Sequence, residues 1–125
     1  MNIRFFAAIA ATVLAASVAQ AAPPAKTAQT AMGPVLTDEK GMTLYTFDKD
    51  GPGMSSCADA CAQNWPPFMA AMGAMAEGDY TMIKRADGSM QWAHKGKPLY
   101  LWVKDAKPGD TTGEGFKDVW HAAKP

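Results

Sequence analysis

The feature of this sequence that most constrains its fold is a repeat at a fixed offset of 55 residues. The stretch "KGMTLYTFDKD" at 40–50 returns as "KGKPLYLWVKD" at 95–105, and Trp65 returns as Trp120. A repeat this regular indicates duplication of one supersecondary unit. A unit this small cannot bury its own apolar face. We therefore expect two copies, at about 36–67 and 91–122, to pack together around a pseudo-two-fold axis. The identical pairs are Lys40/Lys95, Gly41/Gly96, Leu44/Leu99, Tyr45/Tyr100, Lys49/Lys104 and Asp50/Asp105.

Each copy contains an alternating aromatic segment that is typical of a β-strand. Tyr45 and Phe47 share one sheet face because side chains alternate along a strand, and Tyr100 and Trp102 do the same in the second copy. Short glycine-containing turns, "DEKG", "ADG" and "HKGK", separate further strand-like segments. The pattern predicts a mainly β domain built as a small antiparallel meander. Its predicted strands are 34–37, 43–47, 80–84, 89–93, 98–103 and a short final strand within "KDVWHAA".

The repeated aromatic and acidic residues are the first candidates for a site. We expect the aromatic side chains to form either the core or a paired ligand surface. Asp50 and Asp105 each follow the second aromatic residue of a copy by three positions, where a strand gives way to a turn. An aspartate there can accept backbone N–H groups and close the turn. The aromatic candidates are Tyr45, Phe47, Trp65, Tyr100, Trp102 and Trp120.

The N-terminal 21 residues have the composition of a secretory signal peptide. Arg4 precedes an uncharged apolar run at 5–18, and Ala19-Gln20-Ala21 is a small-x-small cleavage signal. The apolar run is short for a membrane span. We expect cleavage before Ala22, a flexible leader at 22–32, and a single domain at 33–125 that is soluble in the periplasm or secreted.

The charge balance excludes some classes of partner. The chain has 12 basic and 12 acidic residues, and removal of Arg4 with the signal peptide leaves 11 basic against 12 acidic. A net charge this close to zero gives no electrostatic reason to bind nucleic acid or an anionic membrane surface. A protein or another envelope component remains the candidate partner.

Cys57 and Cys61 are the two cysteines of the chain, four residues apart. Ser56 as a cap and Trp65-Pro66-Pro67 as a terminator predict a short helix at about 56–63. A disulfide between i and i+4 residues would require a distorted first turn. An oxidising compartment nevertheless favours the disulfide, and a redox-active pair is the alternative.

Together these segments resemble a bacterial secreted-repeat family of predicted lipoproteins, named for a Tyr-x-(Phe/Trp/Tyr)-x-x-Asp motif. The motif is present at 45–50 and again at 100–105, and the resemblance extends over about 33–125. The chain has no lipid-attachment cysteine near the cleavage signal, so the resemblance does not extend to a lipid anchor. It implies no mechanism, because the function of the family is unknown.

Copper or redox handling is the alternative to a binding module. Met69, Met72 and Met75 recur every three residues, and thioethers and thiolates suit Cu(I). His94 and His121 could add imidazole ligands, although methionines at this spacing also fill irregular cores. No other cofactor is indicated, and no motif for nucleophilic, phosphate-binding or metalloprotease chemistry is found in the sequence. We therefore predict a non-enzymatic binding or interaction module.

Overall fold

The computed structural model describes residues 23–125, and the predicted signal peptide lies outside this range. The described part is mainly antiparallel β, which confirms the predicted fold class. Within it, no helix has the length and hydrophobicity needed to cross a bilayer. The elements are β1 (Lys26–Thr30), β2 (Gly33–Thr37), β3 (Tyr45–Phe47), α1 (Ala60–Asn64), β4 (Tyr80–Lys84), β5 (Met90–His94), β6 (Lys97–Pro98), a 3-10 turn (Phe116–Asp118) and β7 (Trp120–Ala122).

The prediction of a flexible leader is wrong for residues 26–30. These residues form β1, which pairs with β2 over five residues in an antiparallel hairpin. The Thr30 hydroxyl donates to the Gly33 carbonyl at 2.9 Å and accepts the Met32 N–H at 3.1 Å, which closes the turn. This segment is ordered by backbone hydrogen bonds to β2. Its small and polar side chains do not indicate that such pairing occurs.

A strand of the first copy pairs with a strand of the second copy. β3 of the first copy pairs with β7 of the second, with Tyr45 opposite Ala122. The equivalent contact 55 positions away places Tyr100 opposite Pro67. The backbone N–H of Tyr45 also donates to the Tyr100 carbonyl at 2.8 Å, and the N–H of Tyr100 donates to the Tyr45 carbonyl at 2.9 Å. The two copies are thus related by a pseudo-two-fold axis, and the β3–β7 sheet combines one strand from each.

Because of this pairing between copies, the strands do not form the single meander that the sequence predicts. Only β4, β5 and β6 form a three-stranded antiparallel sheet, and β6 ends at Pro98, so the strand predicted at 98–103 is wrong beyond that point. Tyr100 instead bridges to Tyr45 and Pro67. The short final strand predicted in "KDVWHAA" is present as β7.

Two apolar clusters form the core. The first surrounds Tyr45, Trp65, Tyr100, Trp102 and Trp120, and the buried Cys57 belongs to it. The second is built from Ala25, Leu36, Leu44, Trp92, Leu99 and Ala123. Both clusters therefore contain pairs of residues that are equivalent in the repeat. In the second cluster, the pair is Leu44 and Leu99, and both are fully buried.

The predicted helix is shorter than expected and begins later. α1 begins at Ala60, and Asp59 before it has a φ of 54°, in the left-handed region. Cys57 therefore lies outside the helix, and its disulfide to Cys61 joins Cα atoms 5.3 Å apart. Ser56 does not cap the helix but donates its N–H and its hydroxyl to Asp50. A break between the cysteines removes the conflict between helix geometry and disulfide geometry.

Gly113 is a tight point of the first cluster, and we expect Gly113→Ala to destabilise the protein by about 1–3 kcal/mol through overpacking. A Cβ at this position would lie 2.7 Å from Trp65 Cη2 and 2.9 Å from Tyr45 Cε1. Gly51→Ala is the matched control, because its Cβ would meet only Met54, at 3.9 Å. Urea denaturation of both variants tests this, and equal midpoints for the two would contradict it.

Candidate functional site

Four aromatic rings form a continuous stack at the centre of the molecule. Phe47 stacks on Trp120 with ring centroids 4.2 Å apart, Trp120 on Trp65 at 3.8 Å, and Trp65 on Trp102 at 3.9 Å. Phe47 and Trp102 are equivalent in the repeat, as are Trp65 and Trp120. A two-fold rotation that superimposes one copy on the other therefore maps the stack onto itself. The pseudo-two-fold axis passes between Trp65 and Trp120.

The tyrosine and aspartate of the repeated motif bond across the two copies. Tyr45 donates its hydroxyl to Asp105 at 2.7 Å, and Tyr100 donates its hydroxyl to Asp50 at 2.6 Å. Each aspartate also accepts one backbone N–H, from Thr112 to Asp105 at 3.0 Å and from Ser56 to Asp50 at 2.8 Å. The aspartates thus occupy turns and also accept a hydrogen bond from the tyrosine of the other copy.

Burial, and then the hydrogen bond to the aspartate, raise the pKa of Tyr45 and of Tyr100 well above the ordinary value for tyrosine. Both phenols therefore stay protonated and act as donors. Both side chains are fully buried, which places them in the core and not on a surface.

Arg85 connects the disulfide segment to this network. Its Nη2 donates to the Cys57 carbonyl at 2.7 Å, and its Nη1 donates to Gln91 at 2.7 Å and to the Ser55 hydroxyl at 3.0 Å. Because the Tyr100 hydroxyl donates its hydrogen bond to Asp50, the Ser55 hydroxyl is the donor in the 2.6 Å contact between Ser55 and Tyr100. The guanidinium thus holds the loop before α1 against β5.

A cleft of about 480 Å³ runs along the side of the ring stack. Ten of its lining residues form five pairs related by the 55-residue offset, and Ala60 and Lys117 complete it. The cleft therefore lies on the pseudo-two-fold axis, and each copy contributes one half. The five pairs are Phe47/Trp102, Lys49/Lys104, Cys61/Phe116, Asn64/Val119 and Trp65/Trp120.

Comparison with known proteins agrees with this internal symmetry. A family described as a secreted repeat of unknown function matches the chain twice, at residues 26–69 and 81–124. The chain belongs to this family. The starting residues of the two matches, 26 and 81, are 55 apart, which is the offset found in the sequence. No curated protein and no solved structure is significantly similar to the chain.

Membership of the secreted-repeat family confirms the resemblance inferred from the motif and supports export of the chain. Each family match is longer than the copy predicted from the sequence, and the first includes β1. The ordered hairpin at the start of the described residues is therefore part of the repeat unit.

Of the residues proposed for copper, His94 and His121 line one pocket together, and no cysteine or methionine is among the described residues that line it. Both cysteines are joined in a disulfide, so neither offers a thiolate. Met69, Met72 and Met75 are exposed, so they do not fill a core as the alternative interpretation of their spacing assumed. In the described part of the chain, no group of three or more His, Cys, Asp or Glu side chains is arranged to hold a metal. Copper binding stays a prediction without support from this geometry.

The two histidines lie in opposite electrostatic environments. Burial and then the charge of Lys95 lower the pKa of His94, with Lys97 adding to this and Asp79 opposing it. Burial also lowers the pKa of His121, but Asp48 at 2.8 Å and Glu114 at 3.5 Å outweigh it, so the pKa is raised. His94 thus favours the neutral form and His121 the protonated form.

We expect His94→Gln and His121→Gln to change the pH dependence of stability in opposite directions. On acidification, His94 is protonated in the unfolded state near its ordinary pKa of about 6.5, before it is protonated in the folded state. Acidification below that value therefore destabilises the wild type, and His94→Gln should remove this effect. The His121 contribution is complete below about pH 6.5 and is lost as pH rises through its folded-state pKa. His121→Gln therefore weakens the protein mainly at acid pH. Urea midpoints between about pH 5.5 and 8.5 test this, and parallel shifts at every pH would contradict it.

The cleft lysines and Arg85 are not among the functional residues predicted from the sequence. Lys49 and Lys104 were visible as a repeated pair, and the return of an exposed charged residue in both copies was the available signal. Arg85 has no counterpart in the repeat, because the equivalent position is Thr30. Its role depends on contacts with Cys57 and Ser55 that spacing does not reveal.

Proposed function

We propose that this protein is a non-enzymatic binding module that acts in the periplasm or outside the cell, and that the cleft on the pseudo-two-fold axis is its ligand site. One observation carries the proposal: five equivalent pairs of the duplication meet around this one cleft. Duplication brings these residues together from both copies, so the cleft is a product of the paired fold and absent from either copy alone.

The size and composition of the cleft fit a small molecule. Its volume of about 480 Å³ lies within the range of about 300–1,000 Å³ for small-molecule pockets. Its apolar lining comes from Phe47, Phe116 and Val119 beside the buried tryptophans, and lysines supply its charge. An apolar lining with a few polar groups is the usual composition of such sites.

The reactive side chains of the motif are used within the fold, which supports a binding role over an enzymatic one. Tyr45 and Tyr100 donate hydrogen bonds from their hydroxyl groups to Asp105 and Asp50. The cysteines are joined to each other, and His121 is held between Asp48 and Glu114. Each of these groups has a structural partner inside the domain.

NMR of the four tryptophan indole N–H groups tests the cleft as a ligand site. Trp65, Trp102 and Trp120 line the cleft, whereas Trp92 lies in the second apolar cluster and serves as an internal reference. During a screen of small molecules, a ligand of the cleft should shift the three lining signals and leave Trp92 unchanged. Ala60→Tyr, which fills the exposed rim, should abolish the shifts. A screen that yields ligands moving only Trp92, or no ligand, would overturn the proposal.

A further inference from the structure

We propose that the cleft takes a small anionic ligand, a flat apolar molecule carrying a carboxylate, sulfonate or similar acid group. This inference rests on the proposed function and adds the ligand's charge and shape. Three of the lining residues are lysines, Lys49, Lys104 and Lys117, and among the described lining residues none carries a carboxylate. Lys49 and Lys104 are equivalent in the repeat, so each copy contributes one ammonium group.

The acidic side chains adjacent to Lys49 and Lys104 in the sequence take part in other contacts. Asp48 contacts His121, Asp50 accepts from Tyr100 and Ser56, and Asp105 accepts from Tyr45 and Thr112. Within residues 23–125, the ion pairs shorter than 4 Å are those of His121. Among these residues, no carboxylate pairs directly with a cleft ammonium group, so Lys49, Lys104 and Lys117 can contact an anion that enters the cleft.

The ring stack presents its positive edge to the cleft. Trp65 is covered on one face by Trp120 and on the other by Trp102, and Trp120 lies between Trp65 and Phe47. A cleft that touches these two inner rings can reach only their edges. Aromatic rings carry a negative face and a positive edge, so the wall of the cleft also favours negative charge.

Two of the lysines lie over aromatic rings that line the cleft. Lys104 Nζ lies 5.8 Å from the Trp102 ring centroid, and Lys117 Nζ lies 5.6 Å from that of Phe116. Cation–π attraction at these distances keeps the ammonium groups near the lining. A flat ligand can therefore contact Phe116 and Val119 through its apolar body while its acid group reaches the lysines.

Two dyes that share one ring system test the inference: anilinonaphthalene sulfonate, which is anionic, and phenylnaphthylamine, which is neutral. We expect the full domain to bind the anionic dye about tenfold more tightly, and Lys49→Gln/Lys104→Gln to remove that advantage. Binding of the neutral dye should not change. Lys40→Gln/Lys107→Gln removes the same charge from exposed residues outside the cleft lining and is the matched control. Indole N–H shifts of Trp65, Trp102 and Trp120 locate the bound dye.

Each outcome has a distinct meaning. Loss of the anionic preference in the cleft variant, and not in the control variant, supports the inference. Equal affinity for the two dyes in the wild type, or equal losses in the two variants, would overturn it while leaving the cleft as a ligand site. Absence of indole shifts with both dyes would overturn it together with the proposed function. The substituted lysines are exposed, and unchanged urea midpoints confirm that each variant is folded.

Discussion

Trp65→Ala is expected to lower the free energy of unfolding by about 3–5 kcal/mol, the usual cost of removing a large buried aromatic side chain. Trp65 contacts Trp102 and Trp120 face to face and Tyr45 and Phe116 at an angle. Its removal opens a cavity at the pseudo-two-fold axis, where both copies lose contacts at once. Urea denaturation followed by far-UV circular dichroism measures the effect independently of the tryptophan signal.

Two comparisons make this result specific to the stack. Trp120→Ala, the equivalent change in the second copy, should cost a similar amount because both rings are inner members of the stack. Val103→Ala lies beside Trp102 in sequence but is 52% exposed, and it should change stability by less than about 0.5 kcal/mol. A cost below about 1 kcal/mol for Trp65→Ala would show that the stack is not a core.

Tyr45→Ala is expected to cost about 3–5 kcal/mol as well, from loss of a fully buried ring and of its bond to Asp105. Tyr45→Phe separates the two effects. It keeps the ring but leaves the Asp105 carboxylate, which is 7% exposed, without its phenol donor. A hydrogen bond to a charged group contributes about 1.5–3 kcal/mol, so this variant should lose about that amount.

A double-mutant cycle isolates the Tyr45–Asp105 bond. Asp105→Asn and Tyr45→Phe should each destabilise the protein, and the double variant should lose less than the sum because the pair interacts directly. The equivalent cycle of Tyr100 with Asp50 is expected to give a smaller coupling, because Asp50 is only half-buried whereas Asp105 is 7% exposed, and solvent weakens the interaction. Strict additivity in the first cycle would contradict the assignment of Asp105 as the partner of Tyr45.

Much of the fold was predictable from local pattern. The period-two aromatics placed β3, and the glycine turns placed β4 with the bounds that the structure shows. The offset of 55 residues predicted a duplication, and the family match confirms it. These features depend on neighbouring residues or on direct comparison of two stretches, and both are readable from one sequence.

The partners of the repeated residues were not predictable in the same way. A tyrosine and an aspartate five positions apart look alike whether each bonds within its own copy or across to the other. Spacing is identical in both arrangements, so only the three-dimensional structure reveals the bond from Tyr45 to Asp105. The ordered β1 and the late start of α1 were missed because backbone pairing and the left-handed Asp59 decide them, and composition reports neither.

The pairing of β3 with β7 also affects when this chain can finish folding. Contacts between residues distant in the sequence form late, because a long loop must close first. The β3 residues of the first copy have their partners in β7, near the far end of the described chain. The first copy can therefore form its β1–β2 hairpin by itself, but β3 has no strand partner until the second copy is present. Pairing across the duplication thus delays closure of the β3–β7 sheet until both copies are available.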